Sequence, residues 1–296
     1  MSTAERARWR APALGTRRDL DLPQGRVTAY EAGSGPPIVF VHGLLVNANL
    51  WRKVVAELSP GFRCIALDLP LGSHLRPMNS DADLSPYGLA DLIADAIEAL
   101  GLDDVTLVGN DSGGALSQIV VTRRPERIGR LVLTSCDYRD NFPPPMFAYF
   151  KPAAYVPGAF KVLMAPMRFR APRRLPFAFG WLVKRPIDRD AEDSYVLAGM
   201  AVPGVVDDVK KVVKGFHKRF TNEAADRLGE FRKPALIAWS RDDRFFKPAH
   251  GEQLAHDLGN ARLEWIEDAR TFSSEDQPGR LAELIAGFVR EPVPAP

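Results

Sequence analysis

The sequence predicts an α/β protein, with a mostly parallel central sheet flanked by helices and an inserted, mainly helical lid. Short apolar runs bounded by glycine, aspartate and proline alternate with amphipathic helical patterns, as expected for βαβ units. The alternation breaks once, over residues 140–222, and then resumes. A chain of 296 residues with 46% hydrophobic content can bury a core of this kind without disulfides.

The individual elements follow from the periodicity of apolar residues. The apolar runs predict strands at residues 26–32, 37–41, 62–67, 105–108, 130–133, 235–239 and 263–266. Helical spacing predicts helices at residues 86–100, 112–124 and 277–290. The predicted domain organisation is a flexible N-terminal tail over 1–17, a core formed by 18–139 and 223–296, and the lid insertion at 140–222.

The most specific motif is Val-Thr-Leu-Val-Gly-Asn-Asp-Ser-Gly-Gly at residues 105–114, where a predicted strand gives way to a helix. A sharp strand-to-helix turn of the form Gly-x-nucleophile-x-Gly needs small residues on both flanks. Centring the pattern on Asp111 puts glycine on both sides, whereas centring it on Ser112 puts Asn110 upstream. The motif therefore predicts Asp111 as a nucleophile whose carboxylate attacks carbon to form an ester. The simpler alternative is that Asp111 only caps the following helix.

With this motif the chain resembles the α/β-hydrolase superfamily, and within it the aspartate-nucleophile branch of haloalkane dehalogenases and epoxide hydrolases. The Val-His-Gly tripeptide that ends at Gly43 resembles the His-Gly loop after the third strand of that family. By this likeness, the loop at Gly43 and the backbone N–H groups of Leu44 and Ser112 would form the oxyanion hole.

The resemblance also implies an acid and a histidine, which activate water to hydrolyse the covalent ester. The loop after a late strand matches the acid at Asp243, with Asp242 as the fallback. Asp137 follows another strand after which some members carry the acid, and capping of the lid is its alternative role. The histidine position holds Thr271, which is no base near neutral pH. His74, on a loop at the carboxyl edge of the predicted sheet, is the candidate replacement imidazole, and an ordinary surface histidine is the alternative.

These motifs predict a hydrolase that acts on an apolar small-molecule electrophile of the ester, epoxide or organohalide type. Water would be activated by His74 or by a pair of carboxylates, one of which could remain protonated and act as an acid. One alternative is a lyase, isomerase or cyclase of the same fold that uses Asp111 as acid or base. Another is a ligand-binding pseudoenzyme, because a fold does not guarantee an activity.

Composition and charge limit the classes of molecule that the protein is expected to bind. The lid combines lysines and arginines with aromatic residues, which we interpret as aromatics lining a substrate pocket and cations in water. A basic, apolar surface that meets a membrane or an acidic protein is the alternative. No apolar run reaches the ~20 residues of a membrane span, and a net charge of +2 does not favour nucleic acid binding.

We expect no cofactor and no metal, because no Cys/His spacing suits zinc and no carboxylate loop suits calcium. Cys64 and Cys136 lie in apolar runs and are expected to be buried free thiols in a reducing compartment. The first residues lack the apolar region of a secretory signal. These observations predict a cytoplasmic protein, and a homodimer is compatible with them.

Overall fold

The central sheet of the protein confirms the predicted α/β class. The structure is a computed structural model that describes residues 2–292. Its strands are β1 (Thr16–Leu22), β2 (Gly25–Ala32), β3 (Pro37–Val41), β4 (Arg63–Asp68), β5 (Val105–Asp111), β6 (Ile128–Cys136), β7 (Ala235–Ser240) and β8 (Ala261–Ile266). They form one sheet in the order β1-β2-β4-β3-β5-β6-β7-β8. Strand β2 pairs antiparallel with β1 and β4, and the remaining pairs are parallel.

Helices connect the strands and cover both faces of the sheet. They are α1 (Thr3–Arg8), α2 (Arg52–Leu58), α3 (Pro86–Ala99), α4 (Ser112–Arg123), α5 (Phe150–Tyr155), α6 (Ala159–Met164), α7 (Arg170–Arg173), α8 (Arg189–Ala201), α9 (Val205–Gly215), α10 (Lys218–Ala225), α11 (Pro248–Leu258), α12 (Ser273–Asp276) and α13 (Pro278–Arg290). The helices predicted at 86–100, 112–124 and 277–290 correspond to α3, α4 and α13.

The sheet separates two hydrophobic cores because successive side chains of a strand point to opposite faces. In β3, Val39 and Val41 face the core built with α3, α4 and α11. Ile38 and Phe40 face the core built with α2 and α13. All four side chains are fully buried, which explains why this strand is a continuous apolar run rather than an alternating pattern.

From residue 2 onwards, the N-terminal segment corrects the prediction of a flexible tail over residues 1–17; Met1 lies outside the described residues. The side chain of Ser2 caps α1 in a reciprocal pair with Glu5, and Leu14 is fully buried. Arg10 forms a buried ion pair with Asp68 at the end of β4, with 2.6 Å between Nη2 and Oδ2. The sequence patterns also did not predict strand β1. Most of its side chains are exposed, so its sequence is charged and resembles that of a tail.

Between β6 and β7 the chain is helical, and its elements α5 to α9 lie where the lid is predicted. Helix α10 crosses the predicted boundary at residue 222 and packs on α4 of the core. Cys64 and Cys136 are buried and unpaired. Within residues 2–292, no helix has the length and hydrophobicity that crossing a membrane requires.

Candidate active site

Asp111 occupies a strained turn between β5 and α4. Its backbone has φ 55° and ψ −135°, which a residue with a Cβ adopts only when its surroundings impose it. The positions two residues before and after Asp111 hold glycine because neither has room for a Cβ atom. A Cβ at Gly113 would overlap the carbonyl oxygen of His42, and a Cβ at Gly109 would lie 2.7 Å from the Cα of Gly114. The double-glycine pattern therefore corresponds to a close approach of β5, α4 and the loop after β3.

The carboxylate of Asp111 lies against the His-Gly loop. A Cβ at Gly43 would overlap this carboxylate, so only glycine leaves room for it. The N–H of Leu44 donates a hydrogen bond to the Ser112 hydroxyl over 2.8 Å, and the N–H of Ser112 opposes the rise in the pKa of the Asp111 carboxyl. The residues predicted to form an oxyanion hole thus lie around Asp111, with the Leu44 N–H already engaged by Ser112.

Parallel strands bring two further carboxyl groups to the same edge of the sheet. Asp137 follows β6, whose Cys136 pairs with Asp111 in the sheet, and Asp243 follows β7. Asp137 is 1% exposed and Asp243 is 8% exposed. No cationic side chain forms an ion pair with any of the three carboxyl groups in the described part of the chain. Burial and mutual repulsion should therefore favour their neutral forms.

The pKa values of the three carboxyl groups shift in that direction. Burial raises the pKa of Asp111 to about 7; the Ser112 N–H opposes this shift, and repulsion from Asp243 adds to it. Burial, with repulsion from Asp111 and Asp243, holds the pKa of Asp137 well above its usual range. Burial raises the pKa of Asp243 to about 6, against hydrogen bonds that favour its charged form. All three shifts therefore favour the protonated carboxyl over the carboxylate.

Hydrogen bonds hold Asp243 in place on one side only. Its Oδ1 accepts from the backbone N–H groups of Phe245 and Phe246 at 2.8 and 2.9 Å, and from the Thr271 hydroxyl at 3.1 Å. Its Oδ2 is buried and has no hydrogen-bond partner among the described residues. Thr271, at the expected histidine position, therefore touches the acid, as a histidine there would.

Asn110, which the sequence motif marks only as the residue before Asp111, is also part of the site. Its Nδ2 donates to the Thr271 carbonyl over 2.7 Å and to the Ser135 carbonyl over 3.2 Å. The side chain thereby joins the elbow to β6 and to the loop after β8. Its position in the elbow, just after the strand predicted at residues 105–108, was a signal, because a buried amide must find partners.

The two histidines near the carboxyl edge of the sheet, His42 and His74, form hydrogen bonds with groups other than the three carboxyl groups. His42 accepts a hydrogen bond from the N–H of Leu69 at Nε2, and its Nδ1 donates to the Gly43 carbonyl. Burial lowers the pKa of His42 to about 4, so the ring is neutral and fixes the loop. His74 is buried rather than on the surface, and its Nε2 lies 3.1 Å from Oδ2 of Asp208 in α9. It does not line the cavity at Asp111, so the structure does not bring it to the position of a base.

The cavity above Asp111 is mostly apolar. It holds about 910 Å³ of space between atoms, its open mouth included. Its polar lining comes from Asp111, Ser112, Asp137 and two tyrosines, Tyr149 and Tyr195. Its apolar lining comes from Leu44 and from elements of the insertion, including Phe147, Phe150, Met164, Met167 and Phe179. Within residues 2–292, no group of three or more His, Cys, Asp or Glu side chains has a metal-binding arrangement.

Comparison with known proteins agrees with this architecture. The Haloalkane dehalogenase 2 of Mycobacterium tuberculosis is 28% identical over 286 residues, covering 90% of this chain and 93% of that protein. The 2-hydroxy-6-oxo-6-phenylhexa-2,4-dienoate hydrolase of Comamonas testosteroni is 24% identical over 283 residues, covering 92% of this chain and 94% of that protein.

Among solved structures, the haloalkane dehalogenase DatA from Agrobacterium tumefaciens C58 shares the fold with a TM-score of 0.76. It is 20% identical, and the match covers 95% of this chain and 99% of that one. The sequence profile of the family described as "alpha/beta hydrolase fold" matches residues 36–278. The chain therefore belongs to the α/β-hydrolase fold family.

Proposed function

We propose that the protein is a hydrolase of apolar small-molecule electrophiles in which Asp111 is the nucleophile and Asp137 replaces the missing imidazole. The observation that carries the proposal is the position of Asp111, on a strained elbow with its carboxylate facing an apolar cavity. A capping residue does not need this arrangement, and in α4 the side chain of Asp111 makes no capping hydrogen bond. A nucleophile does need it, because the turn presents the carboxylate to a bound substrate.

Two carboxyl groups compete for the role of the base, and the geometry favours Asp137. Asp137 lines the cavity together with Asp111, and its Oδ1 has no hydrogen-bond partner in the described chain. Asp243 does not line the cavity, and its Oδ1 is already occupied by three donors. We therefore assign acid–base work to Asp137 and a positioning role to Asp243, which holds the loop carrying Thr271.

The raised pKa of Asp137 gives it a proton to donate in the first step. A carboxylate oxygen of Asp111 attacks the electrophilic carbon, the bond from that carbon to the leaving oxygen breaks, and the leaving oxygen takes the Asp137 proton. An epoxide or an ester needs this proton and a departing halide does not. The arrangement therefore supports a substrate with an oxygen leaving group.

The second step returns Asp111 and Asp137 to their starting protonation states. The Asp137 carboxylate takes a proton from water while the water oxygen attacks the carbonyl carbon of the Asp111 ester. After an epoxide, the ester C–O bond then breaks, and the departing alkoxide takes the hydroxyl proton left on the Asp111 carboxyl. After an ester substrate the intermediate is an anhydride, a carboxylate departs from it, and the proton left on the Asp111 carboxyl passes to water. Asp137 ends protonated and Asp111 ends ionised, so the cycle closes without an imidazole or a cofactor.

The relatives support a hydrolase but do not select the substrate. A haloalkane dehalogenase and a hydrolase of an unsaturated oxo acid are similar to this chain over nearly its whole length. We therefore infer hydrolysis from the relatives, and we infer an oxygen leaving group from the proton that Asp137 can donate.

Intact-protein mass spectrometry combined with turnover assays on apolar epoxides, esters and organohalides tests this proposal. We expect turnover of an epoxide or ester, none for Asp111→Asn, and an accumulating adduct on Asp111 in Asp137→Asn. Asp242→Asn is the matched control, because that side chain is 46% exposed and pairs with Lys184 outside the cavity. Unchanged turnover in Asp111→Asn would contradict the proposal.

A non-hydrolytic reaction of the same fold is the second candidate. It is favoured by the absence of any histidine from the described lining of the cavity, whose ionisable groups are carboxyl groups and tyrosines. In this case Asp111 transfers protons and forms no ester. Turnover in ¹⁸O-labelled water separates the two candidates, since only ester hydrolysis introduces the label into the Asp111 carboxylate. A labelled Asp111 peptide would exclude the proton-transfer reaction.

A further inference from the structure

The insertion contains a long segment without negative charge. Residues 141–187 include eight lysines and arginines and no aspartate or glutamate. The whole chain has a net charge of +2, so the remainder of the protein is negative. Such a separation of charge is a property of the surface rather than of the core, because most of these cations are exposed.

The same segment carries most of the exposed large hydrophobic side chains. Within the described chain, seven of the eight lie between residues 146 and 177, and the eighth is Met200. The most exposed are Val162 at 74%, Tyr155 at 61% and Phe169 at 58%. A soluble protein can expose single apolar residues anywhere, but their concentration in one segment indicates an interaction surface.

These side chains belong to one layer of the structure. Helices α5, α6 and α7 and the short helix Ala165–Arg168 contact one another in chain order. The buried side chains of the layer, Phe150 and Phe160, pack on α9, so its exposed side chains point away from the core. We call this surface the lid face. It consists of Met146, Tyr155, Val156, Lys161, Val162, Arg168, Phe169, Arg170, Arg174, Leu175 and Phe177.

Several cations of the lid face have no acidic partner. Lys161, Arg168 and Arg174 are exposed and form no ion pair within residues 2–292. The charge of Lys161 reaches Asp207 in α9, but that carboxylate already pairs with Lys210 at 2.9 Å. These three positive charges are therefore available to an external anion.

Aromatic rings stand beside cations on this surface. The guanidinium carbon of Arg168 lies 4.6 Å from the centre of the Phe169 ring, and Nζ of Lys214 lies 4.8 Å from that of Tyr155. A ring next to a cation suits the boundary between lipid headgroups and acyl chains, because the ring enters the apolar layer while the cation contacts phosphate.

We propose that the lid face docks on an anionic lipid surface. Its cations complement lipid phosphates, and its apolar side chains can insert to the depth of the headgroup boundary, which needs no spanning helix. A second copy of the chain fits less well, because a symmetric contact would bring like charges together. An acidic protein would match the cations but would leave the scattered apolar side chains without a matching layer.

The cavity connects this surface to Asp111. Phe177 lines the cavity and is 43% exposed, and Met164 and Met167 of the same layer line it as well. An apolar substrate dissolved in the membrane would then enter the cavity without crossing water. The docking does not depend on the reaction proposed above, because none of the lid-face charges touches Asp111, Asp137 or Asp243.

Flotation of the full chain with lipid vesicles tests the proposal. We expect binding to vesicles of equal parts phosphatidylglycerol and phosphatidylcholine, and little binding to phosphatidylcholine alone. The variant Arg168→Glu/Arg174→Glu should bind at least about 30-fold more weakly, since each cation near an anionic surface contributes about fivefold and each glutamate adds repulsion. Val162→Ser/Phe169→Ser should also bind more weakly, and unfolding midpoints should show that both variants remain folded.

Arg232→Glu/Arg290→Glu is the matched control for charge. Both arginines are exposed, and Arg232 precedes β7 at the edge of the sheet opposite the lid. We expect this variant to bind as the unaltered protein does. Equal binding to both vesicle types, no binding to either, or an equal loss in the control would each overturn the proposal. So would a dimer in sedimentation that Val162→Ser/Phe169→Ser converts to a monomer, because the lid face would then bind a second copy.

Discussion

Replacing Asp111 by asparagine should make the protein more stable while removing its activity. The half-buried carboxyl group lies in a cluster with two buried ones and has no cationic partner, so its ionised form destabilises the folded state. Asparagine has nearly the same shape, carries no charge and tolerates a positive φ, which keeps the turn at residue 111 intact. The stabilisation should depend on pH, because only the ionised carboxyl is unfavourable.

The pKa of Asp111 sets the size and sign of this effect. It is about 7 in the folded protein, against an ordinary value of 3.8. A raised folded pKa means that stability is lost as pH rises from the ordinary value through the folded one. The full shift is worth about 4 kcal/mol at pH 8 and about 2 kcal/mol at pH 5. Part of Asp111 faces the cavity, where water screens the charge, so we expect the advantage of the variant to grow by about 1 to 2 kcal/mol between these pH values.

Urea unfolding at pH 5 and pH 8 measures the difference. Asp81→Asn is the control, because Asp81 is exposed on a loop and its loss should change stability equally at both pH values. If Asp111→Asn is destabilised at pH 8, or its advantage does not grow with pH, the carboxyl cluster is not the unfavourable group inferred here.

Three further changes test the site and its surroundings. Thr271→His places an imidazole beside Asp243 and should raise ester or epoxide turnover at least about tenfold; a folded variant with unchanged turnover would show that Asp243 cannot orient a base there. Gly43→Ala should lower turnover at least about 100-fold, because the added Cβ overlaps the Asp111 carboxylate; adduct formation at the normal rate would contradict this. Arg10→Met leaves a buried carboxylate without its partner and should lower the free energy of unfolding by about 3 kcal/mol; urea denaturation with an unchanged midpoint would mean that the N-terminal segment contributes little stability.

Local sequence was sufficient to predict the elements of the sheet core and the turn at Asp111. The run before Asp111 is buried on both faces of the sheet, so it is mostly apolar, and steric crowding leaves only glycine at Gly109 and Gly113. Both constraints act within a few residues and are visible in the sequence. Strand β1 escaped prediction because an edge strand with solvent on one side needs few apolar residues.

The sequence by itself determined the α/β class, the position of the elbow and the presence of threonine where the resembled family has histidine. Only the tertiary structure decided which polar groups share a site. Asp137 and Asp111 meet because β5 and β6 are neighbours, although 26 positions separate them in the chain. His74 follows β4, on the far side of β3, and pairs with Asp208 of the insertion instead. Strand order is set by long-range packing of both cores, and no local pattern in the chain records it.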